Sequence, residues 1–533
     1  MRLTAIVLAF ALLGVAPATA QTPADKADAA LATFTAQSPG LAVLVSKGGQ
    51  PIYERYLGAA DIEQGRPVTA ATRFHVASVS KQFTAFAIMQ LARAGKVDLD
   101  ADIHTYLPDL PNYGAKITVS DLVHHTSGLR DQWELFILSG TNMQSLLRQS
   151  AILSLAKNQT GLNFAPGTDY RYCNTGYSLL AEIVAKVSGK SFPAYLKDHV
   201  FAPLGMNDTL VYADAAELVP GRAVSYSLAA DGTPRLARLN YSNYGATSLH
   251  TTAADLAKWS RELLHPAAFD AALVRAVQQP GKLRNGKTIN YAFGMFDDQF
   301  AGHRAITHNG ADAGFRAMIA SFPKEDATIV VLSNGQADVG KITRQLAGAL
   351  LGAEVAPKAF APDPGQLAKF VGFYVNDWEA GMELKVEAGK LVIYRNGQRQ
   401  EATVMPDGTF NLGSAAASWT LNPDGRLDQL TTAGVSIVHR RVEKVTPAPA
   451  DLEALAGRYH SDELDVTYQL KPVGPGLMLT SLRGDPVLLG AADPDHFEGG
   501  PVRLTILRDP TGKASGFAIA TGRIRDLRFA RTN

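Results

Sequence analysis

Three short patterns in this 533-residue chain put a nucleophile, a base and a proton carrier at spacings that suit acyl transfer. The first is Ser78-Val-Ser-Lys81. On a helix, residues three apart share a face, so Lys81 would stand beside the Ser78 hydroxyl, and desolvation would make its ammonium easier to deprotonate. Ser-x-x-Lys also occurs at Ser154–Lys157, where nothing nearby builds a site, and at Ser321–Lys324, where Pro323 and acidic neighbours read as a strand-ending turn. Only Ser78 opens a segment, VSKQFTAFAIMQLARAGK, whose apolar residues occupy nearly every face, which predicts a buried helix. A serine in its first turn has free backbone N–H groups and the positive end of the helix dipole to stabilise an oxyanion. The same four residues also suit a helix-capping serine with a lysine reaching solvent.

The second pattern is Tyr172-Cys173-Asn174. Tyr-x-Asn recurs at Tyr241, Tyr374 and Tyr394, but only Tyr172 follows a Pro-Gly turn and leads into an amphipathic helix. A loop held there can aim a phenol and a carboxamide into a cleft. The third is His308-Asn309-Gly310, at the start of an inferred strand, where glycine leaves room for a substrate to approach the backbone.

The elements that must hold these groups can be read on both sides. GLAVLVSKGGQPIYERYLG (40–58) has two strand-like runs around a Lys-Gly-Gly-Gln turn, a hairpin signature. AITHNGADAGFRAMIASFPKEDATIVVLSNG (305–335) has three more, followed by a helical stretch, GKITRQLAGALLG. Mostly helical patterns lie between. The economical arrangement is one antiparallel sheet joining both ends, flanked by helices, with a helical insertion. After PKAFAPDPG, which reads as a linker, the chain turns β-like and repeats: LAKFVGFY (367–374) and LEALAGRY (452–459) share Leu, Gly and Tyr at an offset of 85. Two small antiparallel β-barrels follow from this.

Composition narrows the function. A net charge of +1, with 51 basic against 50 acidic residues, gives no electrostatic case for a nucleic-acid partner. Cys173 is the sole cysteine, which excludes an intramolecular disulfide and reads as a small buried filler. Residues 1–20, MRLTAIVLAFALLGVAPATA, have the charge, apolar run and small-residue end of a secretory signal peptide, so a periplasmic or secreted location is expected, with no membrane span after cleavage. Neither a metal-ligand cluster nor a phosphate-cradling glycine loop is evident, so no cofactor is expected.

In the order Ser-x-x-Lys, LVHHTSGL (122–129), Tyr-x-Asn, His-x-Gly, residues 35–352 resemble the serine β-lactamase/DD-peptidase superfamily, in its class C and esterase-like branch. SVSKQFT, SGLRDQW, YRYCN and GRYHSDELD, with two barrels after the catalytic domain, make the chain most similar to bacterial D-aminopeptidases. The resemblance implies an α/β (α+β) hydrolase domain at 30–356 and barrels at 365–445 and 450–533. It implies that Ser78 attacks a carbonyl, Lys81 and Tyr172 move its proton, and Tyr172 protonates the leaving group. Asn174 would bind the acyl-side amide, His308 would bond Tyr172 or substrate, and the N–H groups of Ser78 and Ala311 would bind the oxyanion. A tyrosine in this role needs a nearby cation such as Lys81 to lower its pKa.

Histidine replaces the lysine common at the third element of penicillin-recognising relatives, which weakens attraction for a substrate carboxylate. Removal of amino-terminal D-residues, or ester hydrolysis, therefore ranks above carboxypeptidase and β-lactamase activity. In such aminopeptidases a loop of the last barrel reaches the site; placement on SLRGDPVLLG makes Asp485 the candidate for selecting an ammonium. NYGATSLHTTAADLAKW lacks a Gly-Gly pair usual in this region, which leaves the pocket wall open. A small peptide, amide or ester substrate is expected. A carboxylesterase, a non-turnover penicillin-binding sensor and a homodimer stay open at this point.

Overall fold

The computed structural model describes residues 21–143, 145–352, 360, 362–412, 418–481 and 484–532. The signal-peptide reading and most of the linker reading lie outside the described residues.

Six antiparallel strands form the central sheet: β1 (Leu41–Lys47), β2 (Gln50–Leu57), β3 (Phe296–Phe300), β4 (His303–Asp312), β5 (Phe315–Phe322) and β6 (Ala327–Ser333), in the order β3-β4-β5-β6-β1-β2. The pairing of β1 with β6 sets Leu41 opposite Ser333 and joins the two ends of the domain, as expected. Both strands read as nearly continuous apolar runs because both faces of the sheet are covered. Leu41, Val43 and Val45 pack with Ile329, Val331 and the helix Val339–Leu351, while Ala42 and Leu44 face the larger core on the other side. Strand β3 was not legible in the sequence. Its FDDQF has no apolar alternation, and an edge strand needs none; Asp297 pairs across to Arg304 in solvent instead.

The helix Ser80–Arg93 runs through the larger core, with Ser80 to Met89 all buried. Phe83 and Phe86 lie against Trp259, with ring centroids 4.8 and 5.2 Å away, and burial of each phenyl contributes about 2–3 kcal/mol. Trp259 donates its indole N–H to Gln82 at 2.7 Å, so the polar residue within the helix is also fixed. This anchorage holds the serine-bearing turn that precedes the helix.

Two closed eight-stranded barrels follow, from Gly372–Val375 to Ser436–Val442 and from Gly457–Ser461 to Leu527–Thr532. The repeat seen in sequence has a shared structural cause. Each barrel is entered from a short helix, Pro364–Ala368 or Pro449–Leu455, and the repeated tyrosine locks that entry. Tyr374 donates to the Phe370 carbonyl at 3.1 Å, and Tyr459 donates to the Leu455 carbonyl at 2.8 Å. Both barrels dock on the domain that carries the central sheet. Tyr468 bonds the Leu138 carbonyl at 2.7 Å, buried Arg130 pairs with Glu463, and Asn290 bonds the Ala433 carbonyl at 2.8 Å. No helix among the described residues is long and apolar enough to cross a membrane.

Candidate active site

Ser78 lies in a 3-10 turn, Ala77–Val79, that runs directly into the buried helix. Ala77 has φ 47°, a left-handed conformation that costs a residue with a Cβ, and strand β4 holds it there. Gly310 explains how. A Cβ at that position would lie 2.2 Å from the Val76 carbonyl oxygen, so glycine lets β4 press against the serine turn. The sequence reading assigned this glycine to substrate access, but its close neighbour is the protein's own backbone. Ala311 follows on the same strand, exposed and in register with Arg316.

Lys81 is completely buried. Its Nζ lies 3.3 Å from Ser78 Oγ, 2.8 Å from Asn174 Oδ1 and 2.7 Å from the Ala246 carbonyl. Burial lowers its pKa to about 7; Asp131 opposes the shift and Arg523 adds to it. The arrangement suits the neutral amine: two N–H bonds go to the two short carbonyl contacts, and the lone pair is left toward the serine hydroxyl. The Ala246 contact comes from the segment lacking the Gly-Gly pair, whose contribution was not legible.

Tyr172 sits over the same lysine, with Nζ 4.8 Å from its ring centroid. Its hydroxyl is buried beyond strict hydrogen-bond reach of any described partner. Burial pushes this phenol up, and the Ser78 hydroxyl and the Arg523 charge offset only part of that. The expected lowering by Lys81 is therefore overturned: desolvation wins, and the phenol stays protonated near neutrality.

Asn174 opens the helix Asn174–Ser188, and both ends of its carboxamide are engaged. Oδ1 accepts from Lys81, while the backbone N and Nδ2 donate to Asp131 Oδ2 at 2.7 and 2.8 Å. Asp131, fully buried, also accepts from Trp133 N at 3.0 Å and so caps the helix Gln132–Leu138. The sequence motif SGLRDQW contains this aspartate, but the spacing alone did not expose its role. An Asp before a helix-forming run is the signal that was available.

His308 is buried beside Tyr172, with ring centroids 6.2 Å apart. Its Nδ1 bonds the Asn309 carbonyl at 2.6 Å, which fixes the tautomer, so Nε2 accepts from Tyr291 at 3.3 Å. Of the two partners expected for His308, Tyr172 or substrate, the first gives way to Tyr291. Burial, then the Lys81 charge, lowers the His308 pKa to about 3, so it is neutral. His125 packs against Tyr172 at a tilt of 39°, with ring centroids 4.3 Å apart, and accepts from Cys173 N at 3.1 Å, a packing role beneath the site. Cys173 is buried, and burial pushes its thiol up to about 12.

The last barrel meets the site through the turn at 521–526. Thr521 Oγ1 and Arg523 N donate to Glu134 at 2.6 and 2.9 Å, and Asn163 clasps Arg523 O and Arg525 N at 2.9 and 2.7 Å. This carries the Arg523 guanidinium to 5.2 Å from the Tyr172 ring centroid and 3.8 Å from Asp131. Asp485 is exposed on a different turn, between the strands Gly476–Ser481 and Val487–Asp493. The barrel turn set against Tyr172 therefore bears a cation rather than the anticipated acid. Beside it, a cavity of ≈ 320 Å³ opens between all three parts of the chain, bordered by Glu134, Arg171, Tyr172, Trp378, Glu379 and Arg523. Burial, followed by repulsion from Asp131, raises Glu134 to about 7.

Comparison with known proteins identifies the family and the fold. The Beta-lactamase family model matches residues 27–352. A D-aminopeptidase of Cereibacter sphaeroides is 28% identical over 448 residues, covering 80% of this chain and 81% of the relative. A D-aminopeptidase of Brucella melitensis is 25% identical over 517 residues, covering 93% and 96%. The solved structure of D-amino acid amidase from Ochrobactrum anthropi SV3, complexed with D-phenylalanine, superposes with a TM-score of 0.53 at 22% identity, covering 62% of this chain and 98% of that one. The six-stranded sheet, the two barrels and these matches together show that the chain belongs to the beta-lactamase family, as a D-aminopeptidase-like hydrolase.

Proposed function

We propose that the protein is an exported serine hydrolase that releases amino-terminal D-residues through an acyl-enzyme. The observation that carries the reading is Lys81, buried, with a pKa of about 7, and in contact with the Ser78 hydroxyl. Neutral Lys81 takes the Ser78 proton as Oγ attacks the carbonyl, and the N–H groups of Ser78 and Ala311 receive the oxyanion. Tyr172, which burial keeps protonated, delivers its own proton to the leaving nitrogen as the C–N bond breaks, and the Lys81 ammonium reprotonates the phenolate. Water hydrolyses the ester by the reverse relay. Asn174 orients Lys81, and His308 braces the site through Tyr291. Glu134, bordering the cavity, supplies the carboxylate for the substrate ammonium. The D-preference follows the named relatives, and export rests on residues 1–20. Hydrolase and barrel boundaries near 30–356, 365–445 and 450–533 complete the reading.

The deciding assay pairs D- and L-alanine p-nitroanilides with a p-nitrophenyl ester and a chromogenic cephalosporin. Turnover of the D-anilide well above the L-anilide is expected, whereas an L-preference overturns the assignment. The same assay yields a pH test. On the neutral ester, kcat/KM should rise with pH through about 7 and then level, because only the deprotonated amine accepts the serine proton and burial has set that pKa. A profile with no inflection between roughly pH 6 and 8 removes Lys81 as the base.

A further inference from the structure

The cavity beside Tyr172 contains cations whose hydrogen-bonding capacity is unspent. Arg523 presents a planar guanidinium with five N–H donors. Among the described residues none of them makes a hydrogen bond: its side chain meets the Tyr172 ring and approaches Asp131 at 3.8 Å. That aspartate is already occupied, since Asn174 and Trp133 take its oxygens. Arg171 stacks on Trp378, with Cζ 3.7 Å from a Trp378 ring centroid, and its Nε is buried without a partner. The acids nearby do not complete either group. Glu379 is paired with Arg395, Glu134 accepts the Thr521 hydroxyl and the Arg523 backbone, and Asp169 accepts from Tyr170 N at 2.7 Å.

Leaving a buried donor such as Arg171 Nε unmade is costly, and a guanidinium such as that of Arg523 gains most when a carboxylate meets it bidentately. The backbone around Arg523 is tied at Glu134, Asn163 and the Trp378 carbonyl, which accepts from Gly522 N at 2.5 Å. The side chain is still 41% exposed, so a small ligand can reach it. The group is therefore pre-positioned, and its ordering cost is already met by the fold. Its location gives the direction of the substrate. Arg523 lies over the face of Tyr172, the phenol that protonates the departing nitrogen, so an anion held there belongs to the residue that leaves.

We propose that Arg523, assisted by Arg171, binds the α-carboxylate of the leaving residue, making D-aminoacyl amino acids with a free carboxylate the favoured substrate class. The inference deepens the D-aminopeptidase reading and rests on it for the side of the scissile bond. The cation that the third sequence element lacks, with histidine at 308, is supplied by the second barrel. A peptide extended beyond that residue replaces the carboxylate with a neutral amide and cannot form the ion pair.

The test uses the full chain carrying Ser78→Ala, so that binding is read without turnover. Calorimetry compares D-alanyl-glycine with D-alanyl-glycinamide, which differ only in the carboxylate. The acid is expected to bind at least ~10-fold tighter. Adding Arg523→Gln should bring the two ligands within about 2-fold, and Arg523→Lys should restore part of the preference. Arg171→Lys serves as a second variant should Arg523→Gln not fold, and a reduced preference is expected there too. Equal binding of both ligands by the Ser78→Ala protein, binding of neither, or a preference indifferent to Arg523 overturns the proposal. Wild-type turnover of D- and L-alanine p-nitroanilides runs alongside. Carboxylate preference without D-selective turnover would leave the subsite standing and fell the aminopeptidase reading, whereas D-selective turnover without the preference does the converse.

Discussion

Ser78→Ala is expected to lower kcat/KM on every cleaved ester or amide by at least ~10⁴-fold while the protein remains folded. The loss is large because the proposed route has no second nucleophile. The Tyr172 hydroxyl is kept protonated by burial, and the only thiol, Cys173, bonds the Arg130 carbonyl through a buried sulfur at 3.7 Å. Folding should survive because the turn is shaped by backbone: Ala77 at φ 47° and the approach of Gly310 to Val76 are untouched by removing one oxygen. The substitution removes the 3.3 Å hydrogen bond between Ser78 and Lys81, and the lysine keeps Asn174 and the Ala246 carbonyl as partners. Intact-mass measurement after mixing with an activated D-alanyl ester gives the positive control: one acyl group on the wild type, none on the variant. Residual cleavage within ten-fold of wild type, with the fold verified by its thermal midpoint, would place the chemistry elsewhere.

The ease of finding Ser78 and Lys81 has a local cause. Residues three apart on one helix are neighbours whatever the rest of the chain does, and the all-round apolar character of Phe83 to Leu91 marks that helix as central. The sheet was legible for a related reason, since β1 and β6 are apolar on both faces and so must be interior. Strand β3 was hidden because an edge strand carries no such demand. Elsewhere the missing information is tertiary. Nothing about residue 523 in sequence says that it lies over residue 172, and nothing in the spacing of Tyr172 from Lys81 says whether burial or a cation governs the phenol. Gly310 was noticed but given the wrong neighbour, because the tightness of a glycine site is visible before the identity of what fills it. Asp131 is intermediate: its capping position could be read, but its hold on Asn174 requires two loops to meet.

Asp131→Ala is the second large effect, and it separates support from chemistry. The substitution strips the acceptor from Asn174 N, Asn174 Nδ2 and Trp133 N, all in the interior, and should destabilise the protein by about 2–4 kcal/mol. It also frees the carboxamide that holds Lys81, so kcat/KM should fall on the order of 10²-fold. Asp131→Asn keeps the shape and one acceptor, and should lose less stability, as chemical denaturation can measure. Both variants share one signature that a purely structural role does not predict. Asp131 favours the charged form of Lys81, so removing its charge lets desolvation pull the lysine pKa lower still. The acid limb of the ester profile should then move below pH 7 in both variants, leaving them relatively more active at acid pH despite their lower maximum. A limb that stays fixed, or moves upward, means that the group titrating near pH 7 is not the lysine beside Ser78, and the base would have to be sought at Glu134, where burial also sets a value of about 7.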